Sequence, residues 1–294
     1  MILITGATGQ LGRAVVEQLR KRIAVDRIGV FVRDERKAAD LKAQGINLFV
    51  GNYDDSASLD RAMRGVEKVL LISGTEQNRI QQHQNVVDAA KRAGVQLIAY
   101  TSRAVKGQDT TSNPLMEGHF ATEAYIKQSG LNYAVLRNAL YMDVIPLYLG
   151  GAHVFETGMY LPTGDGKVAF ALRSELGEAI ANLLADGETA SGIHQLTAAE
   201  AWSYDDVADV LTQLSGRNVA YTPIEQPEFA ARMRERGLPE RMIQVSMNFH
   251  SEVRNNLLDE VSPEIEHLLG RRPASLKDGL KVLFNLKKFD TQIR

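Results

Sequence analysis

The chain has 294 residues, 44% of them hydrophobic, and a formal net charge of −2, which allows one large domain with a smaller partner. This charge balance excludes the basic excess of a nucleic-acid surface, and the absence of cysteine excludes disulfides, thiolate catalysis and Cys-ligated metals. Because no apolar run approaches the roughly 20 residues of a membrane span and no signal peptide precedes the first strand, we expect a cytoplasmic protein that binds no membrane.

The first twelve residues predict a strand, a glycine-rich turn and the start of a helix. Residues 2–5 form an apolar run without polar alternation, and Gly6, Gly9 and Gly12 follow before an amphipathic pattern that begins at Leu11. A strand that turns into a helix brings backbone N–H groups and a positive dipole end together, which suits a pyrophosphate. The pattern therefore predicts a dinucleotide-binding turn, the alternative being an ordinary glycine-rich turn.

Apolar strands then alternate with helical patterns as far as Tyr141. The further strands are predicted at 28–32, 48–51, 66–73, 96–101 and 133–137, and the helices between them at 36–44, 56–64, 79–93 and 117–129. Short strands with little polar alternation are typical of a parallel sheet covered on both faces. The prediction is an α/β fold, with a Rossmann-type doubly wound parallel sheet over residues 1–141 as the NAD(P)-binding domain.

The pattern changes after Tyr141. Residues 150–172 are glycine-rich and predicted to be loop, and helices without intervening strands are predicted near 203–215, 227–236, 240–255 and 275–285. We therefore expect a smaller, mainly helical substrate lobe over residues 142–294, with Ser174–Thr197 returning to the Rossmann core. Ligands should bind between the two parts, at the carboxyl ends of the strands.

Arg33 indicates which dinucleotide is bound. It ends the second predicted strand, about twenty residues past Gly12, where dinucleotide folds contact the adenosine ribose. An arginine there accommodates the 2′-phosphate of NADP through a contact worth roughly 1.5–3 kcal/mol. A solvated arginine at a strand end is one alternative, and Asp34 turned toward the ribose hydroxyls is another. We expect NADP (NADPH), with NAD as the second candidate.

Several motifs along the chain point to a family. They are GATGQLG at 6–12, Val32–Arg33, YTS at 100–102, LRNALY at 136–141, and His119 with Thr122 and Glu123. Together they resemble the NmrA-like branch of the atypical short-chain dehydrogenases, and within it the bacterial quinone and triphenylmethane-dye reductases. The resemblance extends over nearly the whole chain. The glycine motif is shared across the superfamily, whereas the last two motifs are particular to this subgroup.

The resemblance implies that NADPH extends along Thr8 to Leu11 and ends near Asn138–Tyr141. Asn52 departs from the aspartate that relatives often carry, but its amide still offers an acceptor to an adenine amino group. Ser102 would bond the nicotinamide ribose or cap a strand end. The expected cofactor-binding residues are Gly6, Thr8, Gly9, Gln10, Leu11, Gly12, Arg33, Asn52, Ile72, Ser73, Gly74, Thr101, Ser102, Asn138, Ala139, Leu140 and Tyr141.

The acid–base pair of most short-chain dehydrogenases is missing. They use Tyr-x-x-x-Lys, but none of the nine tyrosines here has a lysine four residues on. Near the equivalent place, His119 and Glu123 stand at i and i+4, so His119 is a candidate proton donor that Glu123 would keep charged. The alternative is a hydrogen bond that holds this helix against the cofactor loop. Tyr141 is a second candidate, either as a substrate-binding hydroxyl or as an aromatic lid.

A site without a strong acid still permits hydride transfer to a reactive acceptor. We therefore predict an NADPH-dependent oxidoreductase, monomeric or homodimeric, that reduces quinone-like or other conjugated electrophiles without a metal. The small, flat, apolar substrate is expected to contact Tyr141, Met142, Phe155, Met159, Tyr160 and Phe170. One alternative is a non-catalytic NAD(P)-sensing regulatory protein of the NmrA type. Another is a sugar-nucleotide epimerase, which would need the missing Tyr–Lys pair.

Overall fold

The structure, a computed structural model, describes residues 1–107, 113–186 and 191–286. Its centre is a seven-stranded sheet in the order β3-β2-β1-β4-β5-β6-β9, and every neighbouring pair in it is parallel. The strands are β1 (Ile2–Thr5), β2 (Ile28–Val32), β3 (Asn47–Val50), β4 (Lys68–Leu71), β5 (Leu97–Arg103), β6 (Tyr133–Asn138), β7 (Met159–Leu161), β8 (Lys167–Val168), β9 (Gly192–Leu196), β10 (Trp202–Ser203) and β11 (Tyr221–Pro223). The predicted Rossmann-type α/β fold is confirmed.

Helices cover both faces of this sheet. They are α1 (Gln10–Leu19), α2 (Ala39–Ala43), α3 (Ser56–Ala62), α4 (Arg79–Ala93), α5 (Pro114–Gln128), α6 (Ile145–Leu149), α7 (Val154–Thr157), α8 (Arg173–Ala185), α9 (Tyr204–Ser215), α10 (Gln226–Glu235), α11 (Glu240–Arg254), α12 (Glu264–Leu269) and α13 (Leu276–Leu283). Helices α1, α8 and α12 bury apolar side chains against one face, and α3, α4 and α5 cover the other. Gly177 allows α8 to approach α1, since a Cβ there would lie 2.5 Å from the Cβ of Ala14.

The strand order places a crevice beside β1. The chain runs outward from β1 to β2 and β3, then returns to the other side of β1 as β4. Doubly wound sheets bind ligands at this reversal, outside the carboxyl ends of the strands. Here the backbone N–H of Ile72, just after β4, donates to the Thr5 hydroxyl at the end of β1 over 3.1 Å. This bond holds the two strand ends together at the edge of the crevice.

Helix α8 and strand β9 belong to the layers of the large sheet. Strand β9 pairs with β6 from Ala134↔Gly192 to Asn138↔Leu196, and α8 packs along α1. Apart from these two elements and α12, most of the chain after Tyr141 surrounds a separate apolar core, which includes Phe170, Tyr204 and Phe229. The chain after β6 therefore contributes to two cores: some of its elements pack on the large sheet, and the others form the second core.

The second core corrects two expectations. Strand β11 lies between α9 and α10, which were expected to follow one another directly, and the unpredicted β10 lies just before α9. They pair with β7 and β8, respectively, in two small sheets. Strands of two or three residues are too short to show a period in the sequence. Five of the six expected substrate contacts are also wrong. Met142, Met159 and Phe170 are buried in the second core, and Phe155 and Tyr160 pack against it.

Candidate functional site

A cavity of about 930 Å³ opens at the carboxyl ends of β1, β4, β5 and β6. Its lining comes from the β1–α1 turn, the segment after β4, the ends of β5 and β6, the start of α5 and one face of α11. The cavity thus runs from the large sheet to the second core. It has two parts, which we call the cofactor half (the β1–α1 turn, residues 72–74 and 138–141) and the acceptor half (residues 79–80, 113–119, Tyr148 and 241–249).

The β1–α1 turn in the cofactor half has the geometry of an anion site. Gly6 adopts a φ of +62°, a conformation that L side chains rarely adopt. A Cβ on Gly12 would lie 2.4 Å from the carbonyl oxygen of Gly6, so only glycine fits where α1 leaves the turn. Helix α1 has Gly9 as its N-cap, without a side-chain cap and without an acidic residue in its first turn. The N–H groups and positive dipole end of α1 are therefore available to a phosphate.

Three consecutive backbone N–H groups fix the segment after β4. The N–H groups of residues 72–74 donate in turn to the Thr5 hydroxyl, to the Thr101 hydroxyl over 2.9 Å, and to Nε2 of His83 over 3.2 Å. These side chains come from β1, β5 and α4. The Thr101 hydroxyl thus positions Ser73, and Thr101 itself does not line the cavity.

His83 is neutral in this arrangement. Its Nε2 accepts from Gly74, so Nδ1 carries the hydrogen and donates over 2.9 Å to the Thr122 hydroxyl, which donates to the carbonyl of Gly118. Burial, and then the nearby charge of Arg79, lower the pKa of His83 to about 4. At neutral pH the hydrogen-bond chain therefore connects the 72–74 segment to α5.

Arg33 lies at the mouth of the cofactor half. Its side chain is 75% exposed, and its Nη1 lies 3.1 Å from Oε1 of Glu76, which lines the cavity. Asp34 turns away, because its carboxylate accepts from the backbone N–H and the guanidinium of Arg36 at 3.0 Å. Of the two side chains considered for the ribose end, the arginine is thus the one that lies next to the cavity wall.

His119 lies deeper, on α5, where it lines the cavity. Its Nδ1 is 2.9 Å from the buried hydroxyl of Tyr100. Burial, and then the charges of Arg79 and Arg103, lower the pKa of His119 to about 3. The imidazole is therefore uncharged at neutral pH.

Glu123 does not ionise His119, so the expected His119–Glu123 pair is wrong. The Glu123 carboxylate accepts from the Ser102 hydroxyl over 2.6 Å and from the guanidinium of Arg137 over 2.7 Å. Ser102 and Arg137 are in register on β5 and β6, so both face this helix position. The i, i+4 spacing was correct, but the strand ends beneath the helix supply closer partners for the carboxylate.

Asn138 marks the end of the cofactor half. Its side chain lines the cavity and is 2% exposed, and neither amide atom makes a well-formed hydrogen bond with the described residues. Leaving a buried amide without partners costs free energy, so the position suits a polar ligand group. Beside it, the Tyr141 ring lies 4.6 Å from the guanidinium carbon of Arg173.

One face of α11 closes the acceptor half. Arg241, Val245 and Phe249 recur every four residues and all line the cavity. The ring of Phe249 stacks on Tyr148 with centroids 5.4 Å apart, and the guanidinium carbon of Arg103 lies 5.3 Å from the Phe249 centroid. Flat aromatic surfaces and apolar side chains at the mouth suit a planar apolar molecule.

Most of the expected cofactor residues meet at this cavity. Those that line it are Gly6, Gly9, Gln10, Leu11, Gly12, Ile72, Ser73, Gly74, Ser102, Asn138, Ala139, Leu140 and Tyr141. Thr8, Arg33, Asn52 and Thr101 do not. The side-chain oxygen of Asn52 accepts from the N–H of Asp54 over 2.8 Å, which stabilises the turn after β3.

Sequence reasoning missed much of the acceptor half. The residues of this half that it did not select are Arg79, Ile80, Asn113, Pro114, Leu115, Tyr148, Arg241, Val245 and Phe249. Only the four-residue spacing on α11 was visible in the sequence, and such a spacing is also typical of a helix face that packs in a core. Within the ranges that the structure describes, no cluster of three or more His, Asp or Glu residues is arranged to hold a metal ion. None of the helices described has the length and apolarity of a membrane span.

A parallel sheet with a glycine turn at its reversal point defines a class of protein, the Rossmann-type dinucleotide-binding proteins. The model of the NmrA-like family matches residues 1–280, and the chain belongs to that family. The membership predicted from the sequence motifs is confirmed.

The relatives include bacterial reductases. Quinone oxidoreductase 2 of Escherichia coli strain K12 is 37% identical over 289 residues, which cover 97% of this chain and 99% of the relative. The crystal structure of the E. coli NADPH-dependent quinone oxidoreductase with NADPH superposes with a TM-score of 0.91 at 36% identity, covering 97% of this chain and all of that one. Triphenylmethane reductase of Citrobacter sp. in complex with NADP(H) gives a TM-score of 0.91 at 33% identity, covering 96% of this chain and 100% of that chain.

Proposed function

We propose that this protein is an NADPH-dependent reductase of quinones or related conjugated acceptors. The observation that carries the proposal is the continuity of one cavity, which joins the β1–α1 glycine turn to the aromatic surface of Tyr148 and Phe249. A dinucleotide bound at the turn would extend toward a pocket of the right shape for a flat acceptor. Near full-length similarity to a quinone reductase and a dye reductase supports the same activity.

The residues present fit NADPH along the whole cofactor half. The first turn of α1 would hold the pyrophosphate, Arg33 the 2′-phosphate, and the buried amide of Asn138 the nicotinamide end. The segment 72–74 would contact the cofactor from the side, since its backbone is already fixed by three hydrogen bonds. When bound, the dihydronicotinamide supplies a hydride.

The chain's own contribution is placement. Two flat rings held face to face convert a bimolecular encounter into an oriented one, which lowers the barrier by several kcal/mol. Because burial lowers the pKa of His119 to about 3, the ring is uncharged at neutral pH and cannot act as a general acid. Water would therefore protonate the reduced acceptor after transfer.

The alternative is a regulatory protein that binds NADP(H) without turnover. Steady-state oxidation of NADPH by the purified protein, with a panel of quinones and a cationic triarylmethane dye, separates the two functions. A reductase consumes NADPH only when an acceptor is added, and the Gly9→Val variant provides the matched control for unspecific reduction. Tight NADPH binding with no consumption by any acceptor would reject the reductase and favour the regulatory protein.

A further inference from the structure

His119 offers a hydrogen-bond donor to the cavity. Its Nδ1 lies 2.9 Å from the Tyr100 hydroxyl. A phenol is a stronger donor than an imidazole N–H, and an imidazole nitrogen is a strong acceptor, so the favoured arrangement has Tyr100 donating to Nδ1. The single hydrogen of the neutral ring then lies on Nε2. No described residue accepts a hydrogen bond from Nε2, and His119 lines the cavity.

Arg79 places a positive charge beside this donor. The guanidinium lines the cavity, and its residue is only 8% exposed. Its Nη2 donates to the carbonyls of Pro114 and Leu115 at 3.1 and 2.7 Å, and it packs where a Cβ on Gly118 would otherwise lie.

The charge of Arg79 is not balanced by a protein carboxylate. Among the described residues the guanidinium of Arg79 forms no ion pair with a carboxylate, and its hydrogen bonds go to backbone carbonyls. Removing a cation from water without an anion is costly, so the arrangement suits a ligand on which negative charge resides or develops. Arg79 also disfavours a proton on both nitrogens of His119, which keeps the ring a neutral donor.

We propose that the Nε2–H of His119 donates to a carbonyl oxygen of the acceptor, and that Arg79 stabilises the negative charge that this oxygen gains. The inference rests on the proposed reductase function and identifies quinones and other conjugated carbonyl compounds as the acceptors that the site favours. Tyr100 is a positioning residue, because it does not touch the acceptor and acts only by fixing which nitrogen of His119 carries the hydrogen.

The chemical step balances without a protein acid. The quinone gains a hydride, and therefore two electrons, from NADPH, which is oxidised to NADP⁺. One carbonyl oxygen becomes a phenolate, and water then gives the proton that completes the hydroquinone. His119 keeps its Nε2 hydrogen throughout and contributes a hydrogen bond that strengthens as the oxygen becomes charged.

A cationic triarylmethane dye provides an internal control. Such a dye accepts hydride at its central carbon and becomes neutral, so it forms no oxyanion for His119 to stabilise. The donor therefore favours one acceptor class over the other. The relevant quantity is the ratio of kcat/KM for menadione to kcat/KM for the dye, because a general disturbance of the site lowers both constants.

The test compares wild type with His119→Met and His119→Gln. Methionine removes the donor, whereas glutamine replaces it with an amide N–H of similar reach. A hydrogen bond to a charged oxygen is worth about 10- to 150-fold, so His119→Met should lower the menadione-to-dye ratio by that factor, mainly through kcat. His119→Gln should restore the ratio to within about 5-fold of wild type. Circular dichroism and the NADPH dissociation constant verify that both variants fold and bind cofactor.

Tyr100→Phe tests the positioning role without entering the cavity. The ¹⁵N chemical shifts of the His119 ring report its tautomer directly, in the absence of turnover. We expect the Nε2–H form in wild type and a mixture of both tautomers in Tyr100→Phe, with a smaller loss of the menadione-to-dye ratio than in His119→Met.

These experiments distinguish a failure of the proposed reductase function from a failure of the donor role of His119. Wild type that reduces no acceptor rejects the proposed function itself. An active wild type whose menadione-to-dye ratio is unchanged in His119→Met overturns the donor role, as does an Nδ1–H tautomer in wild type. If His119→Gln falls as far as His119→Met while both remain folded and bind NADPH, the hydrogen-bond explanation is also overturned.

Discussion

The two halves of the cavity are built in different ways. The cofactor half is made largely of backbone, from short segments that follow neighbouring strands of one sheet. The acceptor half is made of side chains from α4, α5, α6 and α11, which are far apart in sequence and partly belong to the second core. The first half therefore depends on turn geometry, and the second on how separate helices pack.

This difference separates two properties of the protein. Substitutions in the cofactor half should change nucleotide binding and leave the selection of the acceptor alone. Substitutions in the acceptor half should do the opposite.

Gly9→Val should abolish NADPH binding, with a loss of more than about 100-fold, because a branched side chain would occupy the space of the pyrophosphate. The fold should survive, since a Cβ at Gly9 would meet only the Gly6 carbonyl oxygen at 3.3 Å. Gly12→Ala is the contrasting variant, because its Cβ would lie 2.4 to 2.9 Å from backbone atoms and should lower the melting temperature. Titration of NADPH and thermal unfolding measure the two effects. A folded Gly9→Val protein of unchanged affinity would refute the placement of the pyrophosphate.

Arg33→Ala should weaken NADPH binding by about 10- to 150-fold and leave NADH binding nearly unchanged, because only the 2′-phosphate is lost as a partner. Arg36→Ala is the control, since Arg36 is exposed and pairs with Asp34. Calorimetric titration of both nucleotides into the two variants decides the matter. If Arg33→Ala lost equal affinity for NADPH and NADH, or if wild type preferred NADH, Arg33 would not be the residue that binds the 2′-phosphate.

Val245→Ala should raise the KM of a quinone acceptor by about 3- to 10-fold, because it removes apolar contact area at the mouth of the acceptor half. The NADPH dissociation constant should stay as in wild type. Val282→Ala is a matched control, an equally small truncation of an exposed valine on α13 that does not line the cavity. If Val245→Ala weakened NADPH and acceptor binding alike, the two halves would not be separable.

Acid should destabilise the protein through histidines in both parts of the molecule. Burial lowers the pKa of His83 to about 4 and those of His119 and His250 to about 3, from an ordinary value of 6.5. Below about pH 6.5 the unfolded chain binds protons that the native state refuses, so the free energy of unfolding should decrease as pH falls from 6.5 toward 4. Urea unfolding between pH 8 and pH 5 measures this decrease. In His250→Leu the free energy of unfolding should decrease less steeply with falling pH than in wild type. The same decrease in both proteins would contradict a lowered pKa for His250.

The contrast between the halves also explains how much the sequence could predict. Gly6, Gly9 and Gly12 stand together in the chain, so their joint geometry is visible in a short motif. The position of Glu123 shows the limit, since its partners Ser102 and Arg137 are set by the register of β5 with β6.

Arg79 shows the same limit in the acceptor half. In the sequence it is one more arginine at the start of a helix, and its burial follows only from the approach of α4 to Gly118 on α5. For Met142 and Phe170 the error was the reverse, because they were predicted to line the site and do not. As large apolar residues near the expected cleft they suggested a lining, but the second core buries them. Local turns could be predicted from the sequence, whereas contacts between distant helices could not.

A single-turnover measurement follows hydride transfer between the two halves of this cavity directly. The protein is loaded with NADPH deuterated at the transferred position of C4, then mixed without oxygen with a cationic triarylmethane dye. A reductase should oxidise the nucleotide more slowly than with unlabelled NADPH and leave the deuterium on the central carbon of the reduced dye. Bound NADPH that persists unoxidised, or a reduced dye without deuterium, would contradict direct transfer between the two halves.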